Sequence, residues 1–522
     1  MKFFNTGGVC HPDRHYMLPS YQRFVDEGVS VNVERLIHQR SYFVIHAPRQ
    51  VGKTTAMREF AKELTASGKY IAVLVSMEVG YGLKGDLSAA ELAILDSWRP
   101  TIKLQLPPSV PLPDWPDAPP GQRIGAALTV LTQSVPLPLV VFLDEIDALQ
   151  DDVLVSVLRQ LRAGYNNLRP TAFPVSLALI GLRDVRDYKV KSGGSELLST
   201  TSPFNIAVRS MTLRNFNADE VRALLRQHTT ETGQLFTDEA AALIYELTQG
   251  QPWLVNSLAS ICVEDLVTDL TYSIEAAHVE QAKENLIARR HIHFRQLTDK
   301  LNEERVRRVI APMLAGDALE NVSEDDRQYV IDLGLARRAP FTGLEVANAI
   351  YSEVIPRTLA GGVQDSFPHI APSWLNADGS LNAAQLLQSF LAFWRQHGEP
   401  LLRTAAYHEI APHLVLMAFL HRVANGGGTL EREYAVGSGR MDLLLRYGAT
   451  RLGIELKVWR DGRPDPLAQG LEQLDEYLQG LNLPSGGLVL FDQRSGQPPI
   501  SERTTTENAV TPTGRAITVI RA

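Results

Sequence analysis

Between residues 31 and 204, short apolar runs alternate with stretches whose apolar residues recur every three to four positions. The runs SYFVIHA (41–47), YIAVLVSM (70–77), PLVVFLD (138–144) and VSLALIGL (175–182) have the length of buried strands. Stretches such as AMREFAKELTASG (56–68) have helical periodicity. Strands alternating with helices predict an α/β unit with a parallel sheet. A proline-rich insertion, LPPSVPLPDWPDAPP (106–120), predicts an extended surface loop.

The pattern then changes. Residues 205–289 read as wholly helical: NADEVRALLRQH opens on an N-cap signal, and TDEAAALIYELTQG closes on glycine. Residues 290–361 combine helices with a hairpin signal at RRAPFTGLEVAN, the pattern of a winged helix. A linker over 362–385 leads to a last α/β unit over 386–522, and a polar arm over 1–30 precedes the first strand. The expectation is a multidomain α/β chain: arm 1–30, core 31–204, helical lid 205–289, winged-helix-like module 290–361, linker, and a C-terminal α/β domain.

Composition narrows the class. A chain of 522 residues is too long for one core, and 44% hydrophobic with 21% charged residues is ordinary for globular protein. The longest apolar runs fall far short of the roughly 20 residues that cross a bilayer. No membrane partner is expected. Two cysteines, Cys10 and Cys262, build neither a disulfide framework nor a four-cysteine zinc site, so a reducing cytoplasm is expected. A net charge of −8 argues against a general nucleic-acid coat and leaves room for a local basic groove.

Two constellations carry chemistry. The first is HAPRQVGKTT (46–55), at the end of an apolar strand. It departs from the phosphate-loop template G-x-x-x-x-G-K-[ST] only at Ala47. In such a loop main-chain N–H groups face the phosphates, aided by the positive end of the next helix. Ala47, Pro48, Arg49, Gln50, Val51, Gly52, Lys53, Thr54 and Thr55 are the expected phosphate-binding stretch. Lys53 would reach the β/γ oxygens and Thr54 would bind Mg²⁺. The first position needs a small residue more than it needs glycine, so Ala47 is tolerable. The strand ending in Asp144-Glu145 supplies a second element. Asp144 is placed to hold Mg²⁺ and Glu145 to deprotonate the attacking water.

The second constellation lies in TLEREYAVGSGRMDLLLRYGATRLGIELKVWR (429–460), read as strands in a meander. Side chains on a strand repeat every two residues, so Glu455 and Lys457 share a face, with Asp442 on the neighbouring strand. The expectation is convergence of all three at a sheet edge. Asp442, Glu455 and the Leu456 carbonyl form an oxygen set for Mg²⁺ or Mn²⁺, and such an ion activates water and polarises a phosphodiester. An exposed Glu–Lys pair is the plain alternative.

Resemblance adds to both. HAPRQVGKTT, VVFLDEID, ALIGLRDVRDYK and TQGQPWLVNSLA resemble the prokaryotic AAA-like ATPases, close to the STAND and origin-recognition branches, over roughly residues 1–360. The resemblance implies an ASCE/AAA-like parallel sheet, ATP as cofactor, a sensor role for Arg183 and a place near the adenine for Pro252. It also implies that the arm around Tyr16 covers the base. Arg159 and Arg162 are unranked candidates for an arginine supplied to a neighbouring copy, and a homo-oligomer is expected. The order of elements over 400–522 resembles the PD-(D/E)xK nucleases, with the Q-x-x-x-Y element of RecB-like members at Gln473 and Tyr477. Met441-Asp442 stands for the usual Pro-Asp. That resemblance implies Glu409 as an accessory catalytic ligand, with Glu433 as its rival, and Gln473 beside the site. DNA is the implied partner, with RNA left open. The basic clusters ARRHIHFRQ and RVRRV (288–309) read as a solvated helix face, with phosphate contact as the alternative. The resulting expectation is an ATP-regulated, metal-dependent DNA nuclease acting against phage or mobile DNA. The alternative is an ATP-binding signalling or DNA-docking switch with a non-catalytic nuclease-like end.

Overall fold

The computed structural model describes residues 1–522 apart from 27, 84, 167–171, 184–206, 290–298, 316–318, 320–321, 340–342, 366–372, 405–409, 425–427 and 437–438. The chain divides into two compact units. The first comprises residues 1–288 and 328–338, the second residues 289–327 and 339–522.

The first unit is built on a seven-stranded sheet. Its elements are β1 (Phe24–Asp26), β2 (Val29–Ser30), α1 (Val33–His38), β3 (Tyr42–His46), α2 (Lys53–Ala66), β4 (Ile71–Ser76), α3 (Leu87–Gln105), α4 (Arg123–Ser134), β5 (Leu139–Asp144), α5 (Asp151–Asn166), β6 (Ser176–Gly181), β7 (Ala207–Leu213), α6 (Ala218–Thr232), α7 (Asp238–Thr248), α8 (Pro252–Ser260) and α9 (Ala276–Ala288). The strand order is β2-β1-β7-β3-β6-β5-β4. The five strands from β7 to β4 are parallel, and β1 runs antiparallel to β7.

Strand alternation builds two cores. Tyr42 and Val44 join the cluster of Val73, Val75, Trp98 and Leu128 on one face. Phe43 and Ile45 join Met57, Phe60, Phe142 and Ile180 on the other. A sheet buried on both faces explains the near-continuous apolar strands. The proline-rich stretch is irregular, as expected, yet it is not free of the core: Val110, Leu112 and Trp115 pack against the first cluster. The Trp115 indole N–H donates to the Leu95 carbonyl at 3.1 Å.

Two differences from the sequence reading concern the sheet. Residues 205–289 are not wholly helical, because β7 opens that stretch and inserts between β1 and β3. Residues 1–30 are not only an arm, because Phe24–Asp26 and Val29–Ser30 add two strands. The start of α6 was legible. α6 has a complete capping box between Asn217 and Glu220, and Thr237 caps α7.

α10 (Glu304–Ala315), α11 (Glu324–Asp332), β8 (Ala336–Ala339) and β9 (Gly343–Val346) lie along the stretch where the chain passes between units. α10 carries the second basic cluster. Arg305 pairs with Asp325 and Asp326, and Arg307 and Arg308 pair with Glu304, which is the solvated, acid-matched face expected of it. Most of the first cluster, residues 290–298, lies outside the described residues.

The second unit continues with α12 (Ala349–Asp365), α13 (Ala383–Thr404), α14 (Ala411–Ala424), β10 (Gly428–Val436), β11 (Gly439–Tyr447), β12 (Thr450–Trp459), α15 (Leu467–Gly480), β13 (Ser485–Asp492), α16 (Ile500–Arg503), β14 (Thr505–Val510) and β15 (Ala516–Arg521). The strands form a six-stranded sheet in the order β10-β11-β12-β13-β15-β14. β10, β11 and β12 are an antiparallel meander. β12, β13 and β15 are parallel, and β14 closes antiparallel to β15. α15 is the crossover between β12 and β13, and its Leu474 and Leu478 pack on Leu444, Leu488, Leu490 and Val519. No described helix is long and apolar enough to cross a membrane.

Candidate functional site

The phosphate loop begins where β3 ends, at the carboxyl ends of a parallel sheet, which is where ligands bind in such sheets. Ala47 is 1% exposed, belongs to the second core cluster, and donates its N–H to the Gly181 carbonyl of β6 at 3.3 Å. A small side chain is what that packing requires. The turn that follows uses two left-handed residues, Gln50 (φ 61°) and Gly52 (φ 91°). Gly52 then caps α2, whose first turn holds Lys53, Thr54 and Thr55.

The loop lines a cavity of about 440 Å³ with Arg49, Gln50, Gly52, Lys53, Thr54 and Thr55. The carboxylates Asp144, Glu145 and Asp147 enter it from the end of β5, and Gly181 and Leu182 from the end of β6. Pro252, Trp253 and Asn256 of α8 complete the far wall. Pro252 is also the first residue of α8, so the helix-start role and the cavity-lining role coincide.

Lys53 Nζ donates to the carbonyls of Ala47 (2.6 Å) and Pro48 (2.9 Å), folding back over its own loop. Burial pulls its ammonium down to about 8, against the opposing charges of Asp144 and Asp147. Thr54 Oγ1 donates to Asp144 Oδ2 at 2.6 Å. Burial raises Asp144 above the usual carboxylate range, and the Thr54 hydrogen bond and the Lys53 charge oppose it. Glu145 holds a left-handed backbone (φ 57°), a strained state for a residue with a side chain, and accepts from Ser76 Oγ at 2.6 Å. Burial raises its carboxyl too. Hard oxygens of Thr54 and Asp144 with a raised glutamate alongside form a donor set suited to Mg²⁺ and a general base.

Two expectations need correction. Arg183 does not line the cavity: its guanidinium lies 5.0 Å from the Tyr329 ring, a cation–π contact. Tyr16 does not cover the cavity either. It is 2% exposed, packs on Phe4 and reaches His228 of α6 at 3.3 Å, because its ring is drawn into an aromatic cluster. The arm residues that do line the cavity are Asn5–Cys10, and Cys10 N–H donates to Thr55 Oγ1 at 3.2 Å. Ala47, Pro48 and Val51 shape the loop without lining it. Asp147, Ser76 and Asn256 were missed. Asp147 had a visible signal, three residues beyond Asp144 in DEID. Arg159 and Arg162 are exposed on α5.

In the second unit, Glu455, Lys457 and Asp442 do come together. Lys457 Nζ donates to Glu455 Oε1 at 2.6 Å. Asp442 Oδ2 accepts from the Leu456 N–H at 2.8 Å, just beyond the last β11–β12 pair, Leu443–Ile454. The site is not at a sheet edge, as expected from sequence, because β12 is an interior strand between β11 and β13. Glu455 is 3% exposed, and its Oε2 is buried with no hydrogen-bond partner among the described residues. Burial, with the Asp442 charge added, pushes its carboxyl well above the usual range, and Lys457 opposes the rise. Gln473 Oε1 on α15 is likewise buried and unpartnered. α15 borders the site: a Cβ on its Gly470 would lie 3.4 Å from Lys457 Cγ. Glu409 lies outside the described residues. Glu433 lies on β10 between Arg432 and Tyr434, which pair with Leu443 and Met441, so its position is opposite Asp442. Among the described residues, no group of three or more His, Cys, Asp or Glu is arranged to hold a metal ion.

A parallel sheet whose central strand feeds a phosphate loop, faced by a threonine–aspartate pair and a glutamate, defines the P-loop ATPase class. Residues 26–305 match the profile of the AAA-like domain, and the chain belongs to that family. Among solved structures, the Walker-type ATPase of Pyrococcus abyssi is similar at 13% identity, with a TM-score of 0.44 over 64% of this chain and 97% of that one. The RuvB Holliday junction branch migration motor of Thermotoga maritima is similar at 18% identity, with a TM-score of 0.32 over 60% of this chain and 87% of that one. The ORC1 protein of Aeropyrum pernix in complex with DNA is similar at 14% identity, with a TM-score of 0.32 over 63% of this chain and 91% of that one. No curated protein matches the chain.

Proposed function

We propose that this protein is an ATP-regulated, metal-dependent DNA nuclease: the first unit binds and hydrolyses ATP, and the second cuts a polynucleotide. Support for the ATPase half is the family membership together with the 2.6 Å contact between Thr54 and Asp144 at the mouth of the phosphate loop. Lys53 and the loop N–H groups bind the β- and γ-phosphates. Glu145, held by Ser76 and raised by burial, takes the proton of the attacking water. Thr54 and Asp144 would hold Mg²⁺, which supplies charge neutralisation for the phosphates.

The nuclease half rests on one observation, the buried and unpartnered Glu455 Oε2 beside Asp442 and Lys457. A buried carboxylate oxygen with no partner is costly unless a cation completes it. Asp442, Glu455 and the Leu456 carbonyl would hold Mg²⁺ or Mn²⁺, which polarises the scissile phosphate. Lys457 orients the attacking water and offsets phosphate charge, and Gln473 and Tyr477 flank the substrate. Glu409 is the proposed accessory carboxylate, with Glu433, on the strand beside Asp442, as its rival. Control by nucleotide fits a nuclease whose unregulated activity harms its own cell, as in defence against phage or mobile DNA. A homo-oligomer is the proposed working form.

The experiment mixes purified protein with plasmid or single-stranded DNA and with RNA, in Mg²⁺ or Mn²⁺, with and without ATP. Lys457→Ala is expected to stop cutting and leave ATP turnover. Lys53→Ala is expected to stop ATP binding and change cutting. Wild-type protein that cuts no nucleic acid under any of these conditions overturns the nuclease reading in favour of a non-catalytic docking switch. Equal cutting by Lys53→Ala at every ATP concentration overturns the regulation.

A further inference from the structure

Arg23, between the arm and β1, is 2% exposed. Its Nη2 donates to the Val51 carbonyl of the phosphate loop at 2.9 Å, and its Nη1 donates to the Arg214 carbonyl just after β7 at 2.8 Å. The guanidinium carbon lies 4.6 Å from the centroid of the Phe216 ring. Nε is buried with no hydrogen-bond partner among the described residues. Among the described residues no carboxylate forms an ion pair with it. Glu220, whose charge acts on it from a distance, is engaged bidentately by Arg214 at 2.6 and 2.8 Å. Burial lowers Arg23 to about 10, which leaves it a cation at neutral pH.

A buried cation held only by two carbonyls and a ring is strongly unfavourable unless an anion completes it. The place of this one is informative. A phosphate loop turns its N–H groups toward the ligand, so its carbonyls face away and need donors behind them. Arg23 is that donor for Val51. Its Nη2 is close enough to Gly52 that a Cβ there would lie 3.4 Å away. The cation therefore meets the loop at Val51 and Gly52 and is not among the residues that line the cavity. The same side chain touches Phe216, between β7 and α6, whose N–H donates to the Gly250 carbonyl at 2.9 Å, two residues before α8 begins at Pro252.

We propose that Arg23 is a positioning residue for the triphosphate, bracing the Val51–Gly52 turn from behind and supplying the buried positive charge that the β- and γ-phosphates complete. This rests on the reading of the cavity as a nucleoside triphosphate site. The charge of the ligand is then the counter-charge that the fold withholds from Arg23. Ligands with more phosphates gain more from it, and a nucleoside gains nothing.

The test uses the full chain and compares ATP, ADP and adenosine binding in Mg²⁺ for wild type, Arg23→Gln and Arg23→Lys, with thermal unfolding of each protein without nucleotide. In Arg23→Gln, ATP binding is expected to weaken about tenfold or more, ADP less and adenosine not at all, as a lost charge a few ångströms behind the phosphates requires. Arg23→Lys keeps the charge and loses the fork, so the ATP-to-ADP preference returns while both bind a few-fold more weakly. Equal weakening of all three ligands, or a lower melting temperature with unchanged ATP-to-ADP preference, makes Arg23 a packing residue only and overturns the proposal. If Arg23→Gln does not fold, an ATP-to-ADP preference in Arg23→Lys that drops to parity overturns it as well. Wild-type protein that binds none of the three overturns the nucleotide reading itself.

Discussion

The hydroxyl of Thr54 donates to Asp144 Oδ2 at 2.6 Å, joining the first turn of α2 to the last residue of β5 across 90 positions of chain. Two hard oxygens meet there at the mouth of the loop. Thr54→Val keeps the shape of the side chain and removes one of them. The expected result is a loss of most of the Mg²⁺-dependent part of ATP affinity, about tenfold or more, with nucleotide affinity in EDTA nearly unchanged. Titration of a fluorescent ATP analogue with and without Mg²⁺ reads this directly.

In the proposed mechanism Glu145 acts on water rather than holding the ligand. Glu145→Gln keeps the Ser76 hydrogen bond and removes the base. Turnover is expected to fall about 10²- to 10³-fold with the ATP dissociation constant within about twofold of wild type. Steady-state phosphate release and equilibrium binding on the same preparation check both halves.

Gly250 has φ +67°, and a Cβ there would lie 1.9 Å from the Phe216 carbonyl oxygen. Gly250→Ala is expected to destabilise the first unit by about 2–4 kcal/mol, combining backbone strain with a backbone collision. Gly68 has φ +69° and nothing within 4 Å of its Cβ position, so Gly68→Ala isolates the strain at about 1 kcal/mol. Urea unfolding of the pair separates collision from conformation.

Asp475 on α15 is 5% exposed. Burial raises its carboxyl, but hydrogen bonds from Thr513, Thr511 and Arg515 outweigh this and hold it down at about 2, below the ordinary 3.8. The unfolded chain therefore binds this proton more readily than the native one. The stabilisation is complete above about pH 4–5 and is lost as the pH falls toward 2. Unfolding midpoints measured from pH 2 to 6 are expected to drop at the acid end, and the part due to this site is expected to be missing in Asp475→Asn.

The parallel core was legible because its strands carry apolar residues on both faces and end in chemistry that only a strand terminus positions. Ala47 read correctly for the same reason, as a small residue in a tight turn. In the meander, period two put Glu455 and Lys457 on one face, but it did not show that their strand is interior rather than at an edge. What escaped has a common cause. β1, β2 and β7 are short or half-polar (FVD, VS and AVRSMTL), and their pairing is decided by distant partners. Arg23 sits in a polar arm, where nothing local distinguishes a buried arginine from a solvated one. Tyr16 turned away from the cavity because aromatic packing on Phe4 and His228 outweighs exposure over it, and Asn5–Cys10 of the same arm line it instead. Arg183 went to a tyrosine some 150 residues away, a partner that no spacing announces.

The strand Phe24–Asp26 shields one flank of β7, with Val25 opposite Thr212 and Phe24 opposite Leu213. A chain shortened to begin at residue 31 would leave those main-chain groups open at the border of an otherwise apolar sheet. Such an open flank invites pairing with another molecule. Truncation there is thus expected to yield self-associating material, even though every ATP-facing side chain of the loop itself is retained.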